Sequence, residues 1–180
     1  MPLNSNALDD IIALSPFKMS TEMIEVLSAK DASIIYQVIN KAASAYRGII
    51  PEDCYHEPYM PEQELLGELQ RMIFFGWREK NRIVGVVGFQ KVRDVTLVRH
   101  AYVLPEYQKK GIGTNLLNHV KQITKTKRLL VGTWEDAVWA IQFYQKHGFK
   151  LMPDKDKLLR KYWDIPQRQI ETSVVLGIET

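Results

Sequence analysis

A glycine-rich turn joins an apolar strand to an amphipathic helix in the middle of the chain, in the sequence Gln108-Lys-Lys-Gly-Ile-Gly-Thr114. Glycine lets the backbone turn tightly and approach a ligand closely. The first N–H groups of the following helix have no partner within the helix, and together with the helix dipole they favour an anion such as phosphate. The turn therefore predicts a strand–helix junction that binds an anionic group.

Three phosphate-binding patterns compete for this turn. A dinucleotide fingerprint requires a third glycine where the chain has Leu116, and a Walker loop requires Gly-Lys-Ser/Thr where Gly113 is followed directly by Thr114. The third pattern, Gln/Arg-x-x-Gly-x-Gly/Ala, is satisfied by Gln108, Gly111 and Gly113. Two glycines at a strand–helix junction are also compatible with a plain turn, so the motif alone does not decide.

Hydrophobic periodicity around the turn predicts strands and helices in mixed order. The predicted strands are residues 21–28, 72–77, 82–90, 93–103, 128–134, 149–152 and 171–178. Helices are predicted after Asp31, from Pro61, around 116–123 and from Asp136 to Gly148, and the run 155–161 is predicted to be a solvated charged turn. This order predicts an α/β chain with a mixed, largely antiparallel central sheet and helices on both faces.

The turn and two further segments resemble the GNAT superfamily of N-acetyltransferases, in its small-molecule type. Val103–Thr114 is similar to the acyl-CoA-binding motif of that family, and Phe143–Phe149 is similar to the end of its later helix, Phe-Tyr-x-x-x-Gly-Phe. Ala45–Pro51 is a weaker likeness to the loop after the first helix. The resemblance implies the GNAT acyltransferase fold as one domain over residues 20–180, preceded by an N-terminal arm of residues 1–19.

The resemblance also implies acetyl-CoA as a co-substrate and no metal. The backbone N–H groups of the turn would hold the pyrophosphate, the strand end before it would pair with the pantetheine arm, and an N–H near Val103 would donate to the oxyanion. The implied cofactor-binding residues are Ala101, Tyr102, Val103, Gln108, Lys109, Lys110, Gly111, Ile112, Gly113 and Thr114. Many relatives carry asparagine where this chain has Ala137, so no side-chain role is transferred to that position.

Tyr144 is the general acid that the resemblance implies, and helical spacing places the small residues Ala137 and Ala140 on its face. A tyrosine at such a position is otherwise typical of core packing. An alkyl ammonium has a pKa near about 10, so its proton must be removed. His100 has a suitable intrinsic pKa for the base; Glu135 and a water relay are alternatives.

Acceptor recognition in this family falls to the loop after the first helix and to strand ends, here Tyr46, Arg47 and Trp134. Residues 48–70 contain six acidic residues and no Lys or Arg, whereas residues 107–134 contain six basic residues and no Asp or Glu. We expect the basic segment to meet the CoA phosphates and the acidic segment to attract a cationic amine.

The function predicted from these observations is direct acetyl transfer from acetyl-CoA to a primary amine of a small molecule or a peptide. The alternative is a non-catalytic acyl-CoA-binding or interaction module with the same fold. A single cysteine, Cys54, excludes an internal disulfide and favours a cytoplasmic protein. Neither a membrane nor a nucleic-acid partner is expected, because no apolar run approaches about 18 residues and no nucleic-acid module is present. The closing strand could pair across a homodimer.

Overall fold

Seven strands form one mixed sheet in residues 23–180, the part of the chain that the computed structural model describes. The strands are β1 (Ile24–Leu27), β2 (Ile73–Glu79), β3 (Arg82–Val92), β4 (Val95–Val103), β5 (Arg128–Trp134), β6 (Lys150–Leu151) and β7 (Ser173–Glu179). Their order is β1-β2-β3-β4-β5-β7-β6, and only the β4–β5 pair is parallel. The predicted mixed, largely antiparallel sheet is confirmed. The predicted arm, residues 1–19, lies outside the described residues.

Six helices accompany this sheet in the described residues. They are α1 (Ala32–Ala43), α2 (Glu62–Arg71), α3 (Ile112–Ile123), α4 (Val138–Lys146), α5 (Lys155–Tyr162) and α6 (Gln167–Glu171). The predicted helix start at Asp31 is confirmed, although its carboxylate does not cap α1. That carboxylate instead accepts a 2.8 Å hydrogen bond from the Ser28 N–H and so closes the turn before the helix. Within residues 23–180, no helix has the length and apolar character needed to cross a membrane.

Two glycines of β3 show that helices cover both faces of the sheet. A Cβ at Gly85 would lie 2.9 Å from Ile112 of α3, whereas a Cβ at Gly88 would lie 2.8 Å from Met72, just after α2. Side chains alternate along a strand, so positions 85 and 88 point to opposite faces. We call the face with α1, α2, α5 and α6 the first face, and the face with α3 and α4 the second face.

Three predicted elements differ from the structure. The run 155–161 is not a solvated turn, because α5 buries Leu158, Leu159 and Tyr162 against the first face. Glu171 ends α6, and β7 begins only at Ser173. The cap of α4 lies at Ala137, one residue after the predicted Asp136.

Candidate active site

β4 and β5 separate partway along the sheet and leave an open wedge between them. Their pairing covers only Thr96–Val98 against Leu129–Val131. Beyond this, β4 continues to Val103 and β5 to Trp134 with no pairing between them in the described chain. The backbone groups of β4 that face the wedge are therefore free to pair with an extended ligand, as an added strand would.

A β-bulge at His100 reshapes β4 where it borders the wedge. Gly88 of β3 opposes Arg99 and Val86 opposes Tyr102, so β4 has one residue more than β3 between these pairs. His100 has φ of +48°, in the left-handed region that non-glycine residues seldom adopt. Bulges redirect side chains and are frequent next to active sites. The bulge brings His100 and Tyr102 to the same cavity on the first face.

The glycine-rich turn is built as an anion-binding helix start. Gly111 is the N-cap of α3 with φ of +83°, and Lys109 has φ of +60°. Among the described residues, the backbone N–H groups of 109–114 donate to no protein acceptor. The Gln108 side chain donates to the Val103 carbonyl at 3.0 Å and so fixes the turn to the end of β4. The turn thus has the free donors that the motif predicts.

The end of α4 is fastened to this turn through His147. Its Nδ1 lies 2.7 Å from the Phe143 carbonyl oxygen and its Nε2 lies 3.0 Å from Thr114 Oγ1. Lys121 of α3 donates to the His147 carbonyl at 2.9 Å. Sequence periodicity predicted only that His147 lies on one face of a helix. Its contact with Thr114 could not be predicted, because the two residues are 33 positions apart and no local pattern indicates such a contact.

A cavity of about 420 Å³ opens on the first face at the wedge. Its walls are the loop between α1 and α2, one side of α2, the ends of β4 and β5, and the segment from Trp163 to Gln169, which follows α5 and includes the start of α6. The predicted substrate residues Tyr46 and Trp134 line this cavity, and so does His100. Its size falls within the range of small-molecule sites.

Aromatic rings form one wall of this cavity. The ring centroids of Tyr46 and Tyr59 are 5.2 Å apart and those of Tyr46 and Tyr102 are 6.4 Å apart. Trp139 does not line the cavity but stacks on Tyr46, with ring centroids 5.8 Å apart. The Trp134 indole donates to the Tyr59 hydroxyl at 2.7 Å. Burial raises the pKa of all three tyrosines, so their hydroxyls stay protonated near neutral pH. Tyr59 was not identified from sequence.

A charged cluster lines the cavity around Glu68 of α2, whose side chain is only 3% exposed. Its carboxylate is 2.8 Å from His100 Nε2 and 3.2 Å from Arg99 Nη2, and Arg71 also contacts it. Burial disfavours the carboxylate, yet His100 and the two arginines together hold the pKa of Glu68 below its ordinary value. For His100, burial is the larger influence and lowers its pKa, although the bond to Glu68 opposes this.

Tyr144 of α4 lies in the core on the second face and does not line this cavity. Its side chain packs beside Phe143 and Phe149, with ring centroids 5.2 and 5.6 Å away. Its hydroxyl makes no hydrogen bond among the described residues. The hydroxyl also keeps some contact with solvent, because Trp77 Nε1 is the one side-chain polar atom there that is both fully buried and without a partner. Burial raises the pKa of Tyr144. The hydroxyl is therefore protonated and unused by the fold.

Two other predicted site residues lie outside the cavity, and Ala137, to which no side-chain role was assigned, lies in the core. Glu135 is exposed and does not line the cavity. Arg47 is exposed, pairs with Glu57 and does not line it either. Ala137 is fully buried with Ile50 and Trp134, so the position where relatives carry asparagine is part of a small apolar cluster.

Ion pairs neutralise half of the acidic segment 48–70. Asp53 pairs with Arg168 of α6 at 2.7 Å, Glu57 pairs with Arg47, and Glu68 belongs to the cavity cluster. The expected attraction of a cation therefore falls to the other acids, of which Glu64 lines the cavity without an ion pair in the described residues. No group of three or more His, Cys, Asp or Glu side chains in residues 23–180 is arranged to hold a metal ion.

Comparisons with known proteins place this geometry among acetyltransferases. Residues 35–149 match the Acetyltransferase (GNAT) family. A spermidine N(1)-acetyltransferase of Thermoplasma acidophilum is 28% identical over 147 residues, which are 74% of this chain and 90% of that protein.

Solved structures of low identity share the fold. The PaiA N-acetyltransferase of Thermoplasma acidophilum in complex with coenzyme A has a TM-score of 0.65 and 22% identity, covering 87% of this chain and 99% of that one. A GNAT family acetyltransferase from Elizabethkingia anophelis with acetyl-CoA bound has a TM-score of 0.62 and 22% identity, covering 87% of this chain and 97% of that one.

Proposed function

The chain belongs to the GNAT acetyltransferase family, and we propose that it transfers the acetyl group of acetyl-CoA directly to a primary amine of a small molecule or peptide. The observation that carries this proposal is the wedge between β4 and β5. It presents the unpaired edge of β4 near the free N–H groups of 109–114, and the cavity of about 420 Å³ opens beside it. The two structural relatives that hold CoA or acetyl-CoA support the donor.

When bound, acetyl-CoA supplies the acetyl group as an activated thioester. The N–H groups of the turn at 109–114 would hold its pyrophosphate, with Lys109 and Lys110 adding charge. The strand end Ala101–Val103 would pair with the pantetheine arm, and an N–H near Val103 would donate to the carbonyl oxygen as negative charge develops there. The free edge of β4 and the unbonded turn support these assignments.

The acceptor amine would enter through the cavity on the first face and lose its proton to His100 or to water in contact with it. His100 is neutral near pH 7 because burial lowers its pKa, so it has a lone pair available. Its Nε2 faces Glu68 at 2.8 Å, and a carboxylate partner favours the tautomer with the proton on Nε2. Nδ1 is then the atom that accepts a proton.

The proposed donor of the proton to the departing thiolate is Tyr144. Its hydroxyl is protonated at neutral pH and has no partner among the described residues. Glu135, which is exposed and outside the cavity, has less support as the base than His100. Tyr46 and Trp134 are proposed to contact the acceptor, whereas the pairing of Arg47 with Glu57 favours a structural role for Arg47.

The experiment that tests this function measures CoA thiol release from acetyl-CoA across a panel of polyamines, amino acids, aminoglycosides and peptides. Spermidine belongs in the panel because a relative is named for it. We expect thiol release that depends on both the amine and the enzyme. Tight acetyl-CoA binding in calorimetry without turnover on any amine would favour the non-catalytic module instead.

The pH profile of kcat at saturating amine tests His100. Because burial holds the pKa of His100 below its ordinary value, kcat should stay level near pH 7 and fall only as the pH drops below about 6.5. His100→Gln should lower kcat at least about tenfold and flatten this acid limb. An unchanged acid limb in the variant would assign the titration to another group.

Gly85→Ala tests whether the packing of α3 on β3 sets the position of the turn. The new Cβ would lie 2.9 Å from Ile112 Cγ2 and 3.2 Å from Leu116 Cδ1. We expect a loss of about 1 to 2 kcal/mol in the free energy of unfolding and weaker acetyl-CoA binding in calorimetry. The matched control is Gly67→Ala in α2, where nothing lies within 4 Å of the new Cβ. That change should stabilise the protein slightly and leave acetyl-CoA affinity unaltered.

A further inference from the structure

We propose that the preferred acceptor is an amino acid, whose carboxylate is bound by Arg99 in the cavity while its amine receives the acetyl group. The inference rests on the proposed function and names the substrate class of the same site.

Arg99 is a buried guanidinium with donors left over. Its side chain is 16% exposed and lines the cavity. Nη1 donates to the Gln90 side chain at 3.1 Å, and Nη2 is 3.2 Å from Glu68. A guanidinium has five N–H donors, so these two contacts leave several unused. Nε and Nη2 make no hydrogen bond in residues 23–180 and are not sealed from solvent, because Trp77 Nε1 is the sole sealed side-chain nitrogen or oxygen there that lacks a hydrogen-bond partner. Since Arg99 lines the cavity, Nε and Nη2 are the donors that an anion in it would meet.

The charges within ion-pair distance of Arg99 favour an added anion. Glu68 is the single carboxylate within ion-pair distance of Arg99 in the described chain, and it is shared with Arg71 and His100. Two guanidinium groups thus face one carboxylate, since His100 is neutral near pH 7. Glu64 and Asp164, acids of the cavity without an ion pair in residues 23–180, are exposed and lie beyond ion-pair distance of Arg99. Burial lowers the pKa of Arg99, whereas the charges of Glu68, Glu64 and Asp164 raise it. The two exposed acids are suited to the ammonium group of an amino acid.

Arg168 provides a contrast within the same cavity. Its guanidinium makes two hydrogen bonds to Asp53, at 2.7 and 3.2 Å, and its side chain is 49% exposed. It is therefore already paired, whereas Arg99 is buried and only partly satisfied. A carboxylate gains more from Arg99, because a guanidinium binds a carboxylate through two parallel N–H bonds and the buried site has little competing water.

The position of Arg99 also suits the reaction. It lies opposite Gly88 of β3 and Tyr102 lies opposite Val86, so the bulge places the two about 7 Å apart along the sheet. The thioester is proposed to lie at Ala101–Val103, so an acceptor anchored at Arg99 extends along β4 toward the wedge. The length of the linker between carboxylate and amine is then the property that the site selects.

The test compares acceptors that differ in one group. The wild-type protein is assayed by thiol release with ε-aminocaproate, its neutral amide, n-hexylamine and hexamethylenediamine, followed by glycine, β-alanine and γ-aminobutyrate to vary the linker. The readout is the ratio of kcat/KM for each amino acid to that for n-hexylamine. We expect a ratio of at least about tenfold for the best amino acid, the gain of one charge-assisted contact.

Two arginine variants assign the effect. Arg99→Gln should bring the ratio close to one, mainly through KM, and Arg99→Lys should restore part of it. Arg168→Gln, the same change at a paired arginine, should keep the wild-type ratio within about twofold. Thermal unfolding of each variant shows whether it folds. The wild-type ratio of kcat/KM tests the inference even if a variant does not fold.

Three outcomes overturn the inference: a wild-type ratio of one or less for every amino acid, hexamethylenediamine as the best acceptor, or a folded Arg99→Gln protein that keeps the preference. In each of these the protein still acetylates amines, so the proposed function survives. Absence of thiol release with every amine would instead contradict the proposed function itself.

Discussion

Replacing Tyr144 by phenylalanine should lower kcat about 100-fold, the usual effect of removing a positioned proton donor. Stability should barely change, because the Tyr144 hydroxyl has no hydrogen-bond partner among the described residues while its ring packs in the core. The KM for acetyl-CoA should change little, since the proposed hydrogen bond strengthens only as the thiolate leaves. Steady-state kinetics and thermal unfolding of the same preparation measure both effects.

Tyr162→Phe is the matched control, the same change at another buried tyrosine. The Tyr162 hydroxyl donates to Asp94 at 2.9 Å, and its ring belongs to the apolar cluster under α5. This variant should lose about 1 kcal/mol of stability and keep its kcat. A Tyr144→Phe protein that keeps wild-type kcat would identify Tyr144 as a packing residue alone.

Glu68→Ala should lower the free energy of unfolding by about 3 kcal/mol. Removing one partner of a buried ion pair leaves the remaining charge desolvated and uncompensated. Without Glu68, the Arg99 side chain, which is 16% exposed, has no ion-pair partner in the described chain, and His100 loses its hydrogen bond. Urea denaturation, with the midpoint and slope compared between variant and wild type, measures the loss.

The pH dependence of this stability has a definite sign. The folded pKa of Glu68 lies below its ordinary value, so its contribution is full above the unfolded pKa and is lost as the pH falls through the folded pKa. Glu68→Gln should remove this part of the acid destabilisation. The control is Glu57→Gln, whose exposed pairing with Arg47 should leave the melting temperature unchanged. Equal effects of the two glutamine variants would contradict a special role of the buried cluster.

Most of the fold could be predicted from hydrophobic periodicity and from the residues that form turns. The spacing of Leu116, Leu117 and Val120 predicted α3, and all three are buried. Gly148 ends the segment of α4 with φ of +89°, as expected of a glycine after a helix. α5 was missed because charged residues dominate the run 155–161, although its few apolar residues have helical spacing. Their burial depends on a sheet face that local sequence does not report.

The candidate site was predictable only in its local parts. The glycine turn depends on neighbouring residues, and the structure gives it the free N–H groups that the motif requires. The cluster of Glu68, Arg99 and His100 depends on a helix and a strand 32 residues apart meeting at a bulge. Nothing in a single sequence gives that register. The roles of Arg99 and of the wall from 163 to 169 therefore required the structure.

Transfer of an isotope-labelled acetyl group tests the central claim most directly. The protein is incubated with deuterated acetyl-CoA and the best amine of the panel, and the labelled amide is quantified by mass spectrometry beside the thiol released. We predict one labelled amide for each thiol with the wild-type protein, and a rate about 100-fold lower with Tyr144→Phe. Thiol release without labelled amide, or equal rates for the two proteins, would contradict acetyl transfer to an amine at this site.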